Sequence, residues 1–139
     1  MEKLKALSVK VDKVKPLELG GVYKSRMILD HIITGRDGVI QMNHGTVAPR
    51  AKLSGDLHKE DEIYYILSGK GKLQLDDEVI DVSANQVIFI PAGVFHRLDN
   101  SDSDEELTLL TMWKDYRFND TYEYRVKLWG KSFKTVDEE

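Results

Sequence analysis

The chain has no cysteine among its 139 residues. That absence excludes a disulfide framework, a thiolate metal site and a cysteine nucleophile together. Proline is scarce, at 3, and no stretch approaches the roughly 18 apolar residues that a bilayer-spanning helix needs. The lysine-rich start, MEKLKALSVKVDKVK, lacks the apolar core of a secretory signal. Positive charge is not in excess: 20 Lys and Arg stand against 24 Asp and Glu, a net charge of −4. Nothing in that balance favours nucleic acid or an anionic membrane as a partner. Common nucleotide-binding and hydrolase signatures are missing as well, with no GxSxG, no GxGxxG after a strand and no P-loop. Ser68-Gly69-Lys70-Gly71 superficially resembles a phosphate loop, but it lies between two β-like runs with no helix to follow, and reads as a hairpin turn. What remains is the composition of a cytoplasmic globular protein, 41% hydrophobic and 32% charged. The length suits one domain over 1–139.

The pattern along the chain is that of short strands. Arg26–Ile33, Val39–Val47, Ile63–Leu67, Lys72–Leu75, Val79–Val82, Val87–Ile90, Phe95–Leu98 and Leu107–Trp113 are rich in β-branched, aromatic and aliphatic residues. Turn-forming residues separate them, among them Gly35-Arg36-Asp37-Gly38, Asp76-Asp77 and Pro91-Ala92-Gly93. Such spacing predicts an all-β sandwich or barrel. Residues 1–25 read as an arm with one edge strand. The tail from Tyr116 to Glu139 shows no clear period and reads as a closing strand plus an extension packed outside the barrel.

Chemistry concentrates in two segments. In Asp56-Leu57-His58-Lys59-Glu60-Asp61-Glu62, Asp56 and His58 leave an extended chain on the same face. Glu62 has the same parity, yet a straight strand would carry it about 13 Å beyond His58. A shared metal therefore requires the chain to fold back at Lys59–Asp61. Pro91-Ala92-Gly93-Val94-Phe95-His96 delivers a second imidazole from a Pro/Gly turn. Two imidazoles and two carboxylates form a mixed nitrogen and oxygen set, suited to one divalent ion: Fe, Mn, Ni, Co or Zn. Tyr64 shares the parity of Glu62, and its phenol is a candidate proton donor.

These segments resemble the two signature motifs of the cupin superfamily. Its first motif runs Gly, five residues, His-x-His, three or four residues, Glu, six residues, Gly. Here His58, Glu62 and Gly69 match, Asp56 stands at the first His, and Arg50 stands at the leading Gly. The second motif is matched at Pro91, Gly93, His96 and Asn100, with Asn85 at its leading Gly. The resemblance implies a double-stranded β-helix, or jelly-roll, barrel with its core at about 26–113, an N-terminal arm and a C-terminal extension. It implies a metal held by Asp56, His58, Glu62 and His96, although a metal-free polar cluster is also known in such barrels. If Asp56 does not reach the ion, it serves as an outer anchor or a general base.

By analogy with cupin barrels, Gln41, Asn43, Gly45 and Val47 face the pocket and His44 faces outward. Carried over the same way, alternation points Thr108, Leu110 and Met112 inward and Trp113 outward. The expected function is a metal-dependent enzyme acting on a small oxygen-bearing molecule, of oxygenase or lyase, isomerase or cyclase type. The alternative is a non-catalytic cupin that binds a sugar or organic acid. A homodimer is implied by the family, where swapped edge strands cover exposed sheet edges.

Overall fold

The computed structural model describes residues 6–114 and 120–138. A turn of 3-10 helix at Val11–Lys13 leads into eleven strands among the described residues. These are β1 (Val14–Lys15), β2 (Leu17–Leu19), β3 (Tyr23–Leu29), β4 (Gln41–Val47), β5 (Glu62–Ser68) and β6 (Lys70–Leu75), then β7 (Glu78–Ser83), β8 (Val87–Ile90), β9 (His96–Asp99), β10 (Leu107–Trp113) and β11 (Lys134–Thr135). Two helices, α1 (His31–Thr34) and α2 (Asp120–Trp129), interrupt the pattern. The large sheet runs β2-β3-β4-β10-β5-β8 and the small one β7-β6-β9, with every pairing antiparallel. Between them lies an apolar core that includes Val47, Ile66, Leu73, Ile90, Leu107 and Leu109, all fully buried. This is the antiparallel jelly-roll barrel that the motifs imply.

Turn chemistry decides where the strands stop. The run expected at Arg26–Ile33 ends at Leu29, because Asp30 caps a helix instead of continuing the strand. Its Oδ1 accepts from the amides of Ile32 and Ile33 at 2.9 and 2.8 Å, and Gly35 closes the turn at φ +70°. The expected hairpin at Ser68–Gly71 is also corrected. β5 pairs with β10 and β8, whereas β6 pairs with β7 and β9, so Gly69 is the corner at which the chain changes sheets. Arg50 and Asn85, which replace the leading glycines of the two motifs, sit at φ +63° and +69°. The left-handed backbone that a glycine would supply is therefore kept without one, and asparagine tolerates it best of the larger residues.

The inward face of β10 differs from expectation. Leu107, Leu109, Thr111 and Trp113 are buried, while Thr108, Leu110 and Met112 are only half-buried and face outward. The pairing fixes this parity: Thr111 lies opposite Asn43 and Tyr64, and Trp113 opposite Gln41 and Glu62. Residues directly opposite in an antiparallel pair share a face. Because β10 is apolar on both faces, its alternation carries no contrast from which to read the parity.

The C-terminal extension is mainly helical, which the lack of a clear period did not foretell. Along α2, Arg125 is buried, and Thr121, Tyr122, Val126 and Trp129 are half-buried, which is one helical face. Past it, β11 pairs with β1 through Val14 and Thr135, so a short closing strand does exist and straps the two ends of the chain together. Tyr116 and Phe118, counted in the expected closing strand, lie outside the described residues. The N-terminal segment contributes β2 as the edge of the large sheet.

Candidate metal centre and ligand cavity

The two motif segments are stitched by backbone before any side chain is considered. Asp56 and His96 exchange both amide-to-carbonyl bonds, at 2.9 and 3.0 Å, as an isolated antiparallel bridge. The Gly93 amide donates to the His58 carbonyl at 2.8 Å, and the Ala92 amide to Asp61 Oδ1 at 2.9 Å. Buried Asn100, the last residue of the second motif, donates through Nδ2 to the carbonyls of Ala48 and Glu105 at 3.0 and 2.8 Å. Its role is to hold the loop ahead of the first motif in place.

The chain folds back after His58, as a shared site requires. His58 Nδ1 lies 3.0 Å from the Glu60 carbonyl, and His96 Nδ1 lies 3.0 Å from the Val94 carbonyl. Each ring is thereby oriented by its own local loop, with Nε2 turned inward. Both Nε2 atoms converge on one oxygen, Glu62 Oε1, at 3.0 Å from His58 and 3.2 Å from His96. The rings meet edge to face with centroids 4.9 Å apart. One ligand atom from each of His58, Glu62 and His96 lies within 4.8 Å of the others, and all three residues are buried. The hydrogen bond to Glu62 raises the His58 pKa. Burial pushes the Glu62 carboxyl upward, but its hydrogen bonds to His58 and His96 prevail and hold it below the ordinary value.

These residues fit a divalent ion. Histidines that ligate a metal characteristically anchor the other ring nitrogen on a backbone carbonyl. Here both do so, and the two Nε2 atoms and the carboxylate face one point. Asp56 is set apart from this group: it is exposed, and its Oδ1 accepts from the adjacent Leu57 amide at 2.9 Å. Its carboxylate stands at the rim of the cavity and adds to the charge felt by His58.

The cavity has a volume of about 420 Å³ and is lined by Glu62, His96, Tyr64 and Asn43, as the sequence suggested, with Asp56 at its edge. Tyr64 packs edge to face on His96 at 5.9 Å, and burial followed by the nearby Glu62 charge keeps its phenol protonated, well above the usual range. Gln41 is inward and fully buried, but it is not among the residues that line the cavity. Thr111 and Trp113 line it in place of Thr108, Leu110 and Met112.

Among the lining residues that escaped the sequence reading are three with polar side chains that bear on the site, Tyr23, Ser25 and Arg125. Tyr23 and Ser25 lie on β3 ahead of the strand start expected at Arg26, where a polar alternation (Tyr23, Ser25) was the available signal. Arg125 lies on the helix that replaced the expected extension. With a charged residue on its inner face and Leu128 exposed, that helix gave no hydrophobic period from which to find it.

The chain belongs to the cupin family: the cupin domain matches residues 43–113, which span both motifs. It is 29% identical over 123 residues to an uncharacterised protein of Methanocaldococcus jannaschii, covering 85% of this chain and 94% of that one. It is also 37% identical over 70 residues to the acireductone dioxygenase of Danio rerio, covering 43% of this chain and 39% of the enzyme. Among solved structures, a Thermotoga maritima protein described as a predicted oxalate decarboxylase superposes with a TM-score of 0.69 at 19% identity, covering 78% of this chain and 98% of that one. At that identity the likeness shows the fold alone. No described helix is long and apolar enough to cross a membrane.

Proposed function

We propose that this chain is a metal-dependent cupin enzyme of the cytoplasm, acting on a small oxygen-bearing molecule by an oxygenase or a lyase, isomerase or cyclase reaction. One observation carries the reading: His58 Nε2 and His96 Nε2 converge on a single oxygen of buried Glu62 beside a cavity of small-molecule size. A divalent ion held there by His58, Glu62 and His96 supplies Lewis acidity, and iron or manganese also supplies redox chemistry. The remaining roles fall to the chain itself. Tyr64, kept as a neutral phenol, donates a hydrogen bond or a proton to a substrate oxygen. Asp56, at the rim and open to water, exchanges protons with solvent as a general base or, if the loop closes on the ion, tunes it with a second carboxylate. The printed activity of the dioxygenase relative is compatible with this reading and belongs to that protein.

The test is the metal content of tag-free protein purified without chelator, by elemental mass spectrometry. About one equivalent of Fe, Mn, Ni, Co or Zn per chain supports the enzyme, and iron directs the next assay to oxygen uptake. A chain that stays empty after dialysis against each ion is a ligand-binding cupin without a metal.

The second partner in this reading is another copy of the chain. The outer face of the large sheet presents Phe89, Ile63, Met112 and Met42 in one register row, with Phe89 59% and Ile63 37% exposed. Val87, 65% exposed, begins the next row beside Tyr65 and Leu110. An uncharged row of this length on a sheet face supports an interface there. In this reading the dimer rests on this face. Light scattering is expected to give twice the chain mass, and Phe89→Glu to weaken self-association on the order of 100-fold. Monomeric wild-type protein at high micromolar concentration would sink the proposal.

A further inference from the structure

Arg125 is the largest fully buried side chain of the described residues, and it lines the same cavity as Glu62 and His96. Its hydrogen bonds are all with neutral groups. Nη2 donates to Ser25 Oγ and, at 3.5 Å, to Asn43 Oδ1. None of the ion pairs among the described residues involves it. Nε is buried and has no hydrogen-bond partner. Burial lowers its pKa to about 10, so the guanidinium is still charged at neutral pH. The buried Asp30 adds a favourable field but forms no ion pair with it, and a buried cation without a directly paired anion is costly and rarely kept for nothing.

The neighbouring groups point the same way. Ser25 donates to Asn43 Oδ1 at 2.5 Å, and Asn43 Nδ2 donates to Tyr23 Oη at 3.0 Å and Thr111 Oγ1 at 3.3 Å. Tyr23 thus uses its oxygen as an acceptor, while burial raises its pKa to about 12 and keeps its proton. That proton has no acceptor among the described residues. Gly45 is what lets the phenol sit there, since a Cβ at that position would fall 2.0 Å from Tyr23 Oη. The cavity therefore carries two donors in want of an acceptor, one of them cationic.

We propose that Arg125 and Tyr23 form the subsite for a carboxylate of the substrate, whose other, oxygen-bearing end reaches His58, Glu62 and His96. This deepens the metal-dependent reading above and rests on it only for the far end of the molecule. The substrate class is a small organic acid, such as a dicarboxylate or an oxo- or hydroxy-carboxylate. A single guanidinium with a fork of donors matches one monoanionic carboxylate, whereas a phosphate dianion calls for more cationic partners.

The test is calorimetric titration of malonate, of uncharged malonamide and of inorganic phosphate into the full chain, once metal-free and once metal-loaded. Metal-free wild type is expected to prefer malonate over malonamide at least 10-fold. Arg125→Met removes the preference, and Arg125→Lys, which keeps the charge but loses the fork, retains part of it. Should Arg125→Met fail to fold, the Nε–H resonance of Arg125 in 15N-labelled wild type decides: malonate must shift it, and malonamide must not. Equal binding of malonate and malonamide, tighter binding of phosphate, or a preference surviving in Arg125→Met overturns the subsite. A chain that keeps the carboxylate preference yet takes up no divalent ion overturns the metal centre and leaves the subsite standing.

Discussion

Replacing His96 by alanine is expected to lower the affinity for divalent metal by on the order of 100-fold or more, leaving purified protein nearly empty. Removing an outer anchor of a metal ligand already costs about 10- to 100-fold, and His96 is placed as a ligand itself. Among the described residues it supplies one of three converging donor atoms, and no other described side chain stands ready to replace it. Asp56→Ala is the informative companion. Because Asp56 is exposed and bonded to its own neighbour's amide, its loss is expected to weaken metal binding about 10-fold or less, on the scale of an outer-sphere group. Competition against a chromophoric chelator measures both. Equal losses for the two variants would make Asp56 a full ligand and end its assignment as a base at the rim.

Gly69→Ala carries the largest expected effect on stability. At φ +85°, an added Cβ would come 2.3 Å from the Glu106 carbonyl oxygen and 3.1 Å from Leu107 Cα, both backbone atoms of the approach to β10. Backbone cannot rotate away as a side chain tip can. The strain of a left-handed non-glycine residue, about 1–2 kcal/mol, adds to that displacement for a total of about 3 kcal/mol. For a chain of this size the melting temperature should fall by ~10 °C. Gly93→Ala separates the two contributions, since Gly93 shares the sign of φ at +82° but has open space around its Cβ direction. It should lose only about 1 kcal/mol. Equal melting temperatures for the two variants would refute the clash at the sheet-changing corner.

What could be read without the structure follows from where identity and geometry coincide. His58, Glu62 and His96 are legible because few residue types supply imidazole or carboxylate, and their spacing with Gly69, Pro91 and Gly93 is specific. The strands were legible from their turns, which are local. The parity of β10 was not, since Leu107 and Leu109 on one face and Leu110 and Met112 on the other are equally apolar, and only pairing with β4 and β5 chooses between them. Helix α2 was hidden for the opposite reason. Its most apolar residue, Leu128, is 54% exposed, and a charged one, Arg125, is 1% exposed. A periodicity read from hydrophobicity is blind to a helix that turns its arginine inward. That blindness fell on the residue that selects the ligand in the present proposal, which fits the general rule that local pattern and tertiary structure disagree where function intervenes.

The position of β10 in the large sheet, between β4 and β5, also bears on how the protein is made. During synthesis β4 and β5 emerge well before Leu107, and neither can hydrogen-bond to the other while the slot between them is empty. Both then present raw edges, the condition under which nascent strands pair with the wrong chain. The sheet closes only when its fourth position, between β4 and β5, is filled by one of the last strands in sequence, so ribosome-bound fragments that stop short of Trp113 are natural clients for chaperones. High-level expression should accordingly fail through aggregation of incomplete chains sooner than through instability of finished ones.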